Sequence, residues 1–106
     1  MSLKWPNKDP DETLDYSVDW SRFLGEATIV SVTWYIEDSD GTKTLLTPGG
    51  SAVNNIQLIA ATNTSTVATA NIAGGVNNTN YLFYCKITDS NSLVVERSIR
   101  LRVRDK

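Results

Sequence analysis

Few residues in this chain could do chemistry. Asp38-Ser39-Asp40-Gly41 has the opening of a calcium loop, in which alternate oxygen ligands and a glycine wrap the ion. It lacks the later oxygen ligands and the bidentate glutamate, so it reads as a hairpin turn with Gly41 at the positive-φ position. Cys85 is the single cysteine, and no neighbouring base would make it a thiolate, so it reads as a buried, inert thiol. Arg100, Arg102 and Arg104, spaced two apart, form a basic stripe on one strand face. No aromatic residues interleave with them, and a net charge of -2 does not draw nucleic acid. The chain has no histidine, which removes His-based triads, His metal ligation and a switch near neutral pH. No carboxylate pair falls in an evident pocket, and Gly49-Gly50 and Gly74-Gly75 read as turn glycines. The expectation is a protein that is not an enzyme, with no metal and no cofactor.

The elements that carry these residues are strands. The 106 residues make one domain's worth of chain, and Thr, Ser and Asn account for 31 of them, a composition that favours strands and turns over helix interiors. Apolar residues alternate at Leu14, Tyr16, Val18 and Trp20, a period of two. The same period places Val30, Val32, Trp34 and Ile36 on one face of a strand over 28–37. Further strands are predicted over 43–47, around 56–59, over 66–72, over 81–88 with Tyr81, Phe83, Cys85 and Ile87 inward, and over 93–104. The connection 21–26 has room for a helical turn only. About seven antiparallel strands, with turn signals every 8–12 residues or so, predict an all-β, immunoglobulin-like β-sandwich over 13–106.

Residues 1–12 read as an extended N-terminal arm, because Pro6 and Pro10 interrupt regular pairing. Lys4, Trp5, Lys8, Asp9 and Pro10 are its candidate partner-binding residues. Trp5 either tucks onto its own domain or anchors in a partner. A chain beginning at Thr13 is expected to fold with nearly unchanged stability and to fail in assembly. The start of the chain has no apolar run of a secretory signal, and no stretch is long enough to span a membrane, so folding in a reducing cytoplasm is expected. Most arginines lie in 97–104, and acids cluster in 9–19. If the strand at 14–20 lay beside the last strand, Asp15 and Asp19 would face Arg100, Arg102 and Arg104.

Lys8-Asp9-Pro10-Asp11-Glu12, Leu14-Asp15-Tyr16-Ser17-Val18-Asp19-Trp20, Leu24-Gly25, the run from Thr28 to Trp34, Asn80-Tyr81 and the closing Glu96 to Val103 together resemble phage fibre–tail adaptor-like proteins. The resemblance covers nearly the whole chain, with 40–78 similar in character only. It implies a small immunoglobulin-like component of a tailed-phage virion, assembled in the host cytoplasm. Its partners would be other tail proteins (a tail ring, a fibre or a spike), with no nucleic acid and no membrane. Several copies would sit in the particle, while the isolated chain is expected to be a monomer. Two other roles fit the same residues: an adhesion module for a glycan or cell surface, with Tyr35 and Tyr84 as outward aromatics, and a capsid decoration or head–tail completion protein.

Overall fold

The computed structural model describes residues 3–105. It is a β-sandwich of eight strands and one helical turn: β1 (Leu3–Lys4), β2 (Thr13–Asp19), α1 (Ser21–Leu24), β3 (Ile29–Glu37), β4 (Lys43–Leu46), β5 (Ile56–Asn63), β6 (Val67–Gly74), β7 (Thr79–Asp89) and β8 (Val94–Val103). A five-stranded sheet runs in the order β1-β8-β7-β3-β4, and a three-stranded sheet in the order β2-β6-β5. All pairs are antiparallel except β1 with β8.

The predicted alternation builds the core. Tyr16 and Val18 of β2, Trp34 and Ile36 of β3, and Tyr81, Phe83, Cys85 and Ile87 of β7 are all buried. The strand of small residues also behaves as read: Ala68, Ala70 and Ile72 of β6 are fully buried and allow the sheets to approach closely. β3 departs from its simple alternation. Its pairing with β7 shifts between Ile29 and Ser31, and the extra residue reverses the parity upstream. Ile29 is therefore buried, and Val30 lies on the surface, 66% exposed.

The proposed facing of Asp15 and Asp19 with the arginines of the last strand does not occur. β2 pairs with β6 in the other sheet, Asp15 opposite Asn71 and Asp19 opposite Val67. The neighbours of β8 are β7 and β1, and the two residues of β1 are too few to show a period in the sequence. Asp15 accepts from Asn71 Nδ2 at 2.7 Å, and Arg102 donates to Asn80 Oδ1 at 3.0 Å. In thermal melts of the dilute chain, the effects of Arg102→Glu and Asp15→Lys are therefore expected to add within about 0.5 kcal/mol. A rescue of one by the other would contradict this sheet order.

Candidate functional site

The N-terminal segment runs along β8. After β1, Trp5 N–H donates to the Arg100 carbonyl at 2.9 Å, and Lys8 N–H to that of Arg102 at 3.0 Å. Arg104 N–H returns a bond to the Lys8 carbonyl at 2.7 Å. These bonds extend the parallel pairing past Pro6, whose missing N–H falls between two donors. Trp5 and Lys8, three residues apart, are the buried side chains of this stretch, with Pro6 and Asn7 exposed between them. Lys4 points outward and is exposed, and Trp5 enters the sandwich.

Trp5 is 6% exposed. Its ring stacks on Tyr16 with centroids 4.8 Å apart, and it meets Phe83 at 5.3 Å and Trp34 at 5.9 Å. Its indole N–H donates to the Ser17 carbonyl at 3.0 Å. The Tyr16 hydroxyl in turn donates to the Pro6 carbonyl at 3.1 Å. One residue thus joins the edge of the three-stranded sheet to the core of the five-stranded one. Of the two readings of Trp5, the structure shows packing on its own domain.

Lys8 has no exposed surface. Its ammonium donates to the Gly74 carbonyl at 2.7 Å and to the Asp9 carbonyl at 3.0 Å. Hydrogen bonds of this kind are what make a buried cation tolerable. Gly74 has φ +83, and a side chain there would run into the Asn55 carbonyl, so the acceptor sits on a backbone that only glycine fits. Asp9 and Pro10 are half-buried. Asp9 N–H donates to Glu12 Oε1 at 2.8 Å, and Asp9 Oδ1 accepts from Asp11 N–H at 2.9 Å. These bonds turn the chain into β2. The five residues therefore share one segment but do not form one surface: Trp5 and Lys8 are internal, and Lys4 faces out. The sequence offered no signal for the burial of Lys8, which stands among the polar residues Asn7 and Asp9.

The other candidate residues have structural settings. In the β3–β4 turn, Gly41 has φ +86 and donates to the Asp38 carbonyl at 2.9 Å. Asp40 Oδ1 accepts from Thr42 N–H at 2.9 Å, and that bond holds the Asp40 carboxyl below its usual range. Tyr35 and Tyr84 lie opposite one another on the outer sheet face. The Lys43 ammonium sits over both rings, 4.5 and 5.1 Å from their centroids, and is ion-paired with Glu96. The two rings thus form a seat for a lysine of the same chain. Such a cation–π contact competes with any sugar for the ring face.

Cys85 is buried. Loss of solvation pushes its thiol up to about 12, against an opposing pull from Trp20. The Trp20 indole N–H is buried without a hydrogen-bond partner. Desolvation, with the charge of Glu12 adding to it, also raises the Tyr16 hydroxyl to about 12. Both groups hold their protons in the folded chain at pH values where the unfolded chain has lost them. Stability from this source is complete below about pH 8.5 and falls as pH rises towards 12. Melting temperatures measured from pH 8 to 11 are expected to decline, and Cys85 is expected to resist alkylation at pH 8 until the chain unfolds. Rapid alkylation of the folded chain would show an accessible thiol.

Among the described residues no group of three or more His, Cys, Asp or Glu gathers as a metal site, and no helix is long and apolar enough to cross a membrane. The fold by itself does not define a function, and the family comparison supplies what it leaves open. Residues 8–102 match the family model described as podophage GP4 fiber-tail adaptor protein gp77. The chain belongs to that family of phage fibre–tail adaptors. A search of curated proteins finds no match.

Proposed function

We propose that this chain is a non-enzymatic virion component that joins a tail ring to a fibre or spike. The observation that carries the reading is the family match over residues 8–102, and the fold is consistent with it. A joint that transmits force needs a stiff body, and the Trp5 and Lys8 anchors stiffen the N-terminal edge without a disulfide. That suits assembly in a reducing host cytoplasm. In this reading the N-terminal segment meets the partner through Lys4 and the surface of Asp9 and Pro10, with Trp5 and Lys8 holding the segment in place. The test is mass spectrometry of purified virions, followed by antibody labelling under the electron microscope. Label at the tail–fibre junction supports the proposal, and absence of the chain from particles removes it.

A further inference from the structure

The fold separates the chain's charges by sheet. The strands of the three-stranded sheet carry Asp15 and Asp19 and no lysine or arginine. Both aspartates are exposed on its outer face, which is otherwise polar around Ser17, Thr69 and Asn71, with Arg22 of α1 near enough to Asp19 to act on its charge. The strands of the five-stranded sheet carry Lys4, Lys43, Lys86, Arg97, Arg100 and Arg102 against Glu37, Asp89 and Glu96. Of these acids, Glu96 is committed to Lys43, Asp89 is buried, and Glu37 accepts from the Tyr84 hydroxyl at 3.2 Å.

Lys4 and Arg100 lie in register on β1 and β8. With Arg102 they line an open depression of about 670 Å³ on the outer face of the larger sheet. Glu37 and Asp38 lie in the same depression, and they confine its cationic part to the β8 side.

The outer faces of a sandwich point away from each other. The aspartates of β2 and the cations of β8 and β1 therefore cannot neutralise one another across faces within one chain. They can do so between chains. We infer that the cationic outer face around Arg100 and Arg102 is a docking surface for a second copy of this chain, which presents Asp15 and Asp19. Such a contact joins two different faces, so it is head-to-tail. It leaves one free face of each kind on every pair and propagates to a closed ring or an open filament. The contact is polar, and so it is weak and sensitive to salt.

Charge-swapped pairs of the full chain test this. Self-association is followed by sedimentation and small-angle scattering at high protein concentration and low salt. The wild type is expected to associate, and raising salt from about 0.05 to about 0.5 M is expected to weaken association about tenfold or more. Arg100→Glu with Arg102→Glu should abolish association, as should Asp15→Lys with Asp19→Lys. An equimolar mixture of the two variants should restore it, because each then offers what the other lacks. Asp19 Oδ1 also accepts the Ser21 N–H. If the aspartate variant fails to fold, the arginine variant and the salt series still decide. A wild type that stays monomeric throughout overturns the inference, and so does an arginine variant that associates like the wild type. The outcome is independent of the adaptor reading, which stands or falls on where the chain sits in the virion.

Discussion

Removing residues 1–12, or replacing Trp5 with alanine alone, is expected to cost the domain much of its stability. Trp5 fills the space between Tyr16, Phe83 and Trp34 and donates its indole N–H to β2. Truncating a buried tryptophan to alanine costs about 3–5 kcal/mol. In a domain of this size that lowers the melting temperature on the order of 15 °C. The deletion also strips the backbone partners of β8 and the donor to the Gly74 carbonyl, so its effect should exceed that of the point variant. Trp5→Phe keeps the stack on Tyr16 but loses the bond to Ser17, and should fall in between. The sequence alone led to the opposite expectation for a chain beginning at Thr13. Circular dichroism melts of the three proteins check the order. Near-identical melting of wild type and the shortened chain would show that the segment contributes nothing to the domain.

Lys8 should give the second largest effect, and two substitutions separate its parts. Lys8→Ala removes a fully buried stem and the bonds its ammonium donates to the Gly74 and Asp9 carbonyls, at about 3 kcal/mol or more in total. Lys8→Met restores most of the apolar volume but still leaves the Gly74 and Asp9 carbonyls without their lysine donor. Its expected cost is about 1–3 kcal/mol for each of these acceptors that stays buried and unsatisfied. The difference between the two, measured by urea unfolding, reports the packing of the stem. Equal melting of wild type and Lys8→Ala would mean that the lysine is solvated rather than buried.

These residues mark where the sequence could and could not be read. Strict alternation made β7 legible residue by residue, because Tyr81, Phe83, Cys85 and Ile87 all point inward as their spacing requires. The same rule failed at Val30, where a bulge adds one residue and reverses the face. It could not reveal β1, which is two residues long and is continued by single bonds on either side of Pro6. Missing β1 made β2 look like the first strand and placed its aspartates beside the arginines of β8. β8 does lie beside the first strand, but that strand is Leu3–Lys4. Trp5 and Lys8 owe their burial to contacts with residues far along the chain. No local pattern encodes those contacts, so a tryptophan and a lysine in a polar, proline-flanked stretch looked like groups free to meet a partner.

The family supplies a role that the side chains alone do not. The features that stand out among the described residues are an edge covered by the N-terminal segment and charge sorted between two outer faces. The most direct test of the adaptor role is deletion of the coding sequence from the phage genome, followed by electron microscopy of the particles. Filled heads with tails that lack their fibres or spikes are expected, with attachment restored when the full-length chain is supplied in trans. Particles with normally attached fibres would contradict the adaptor role.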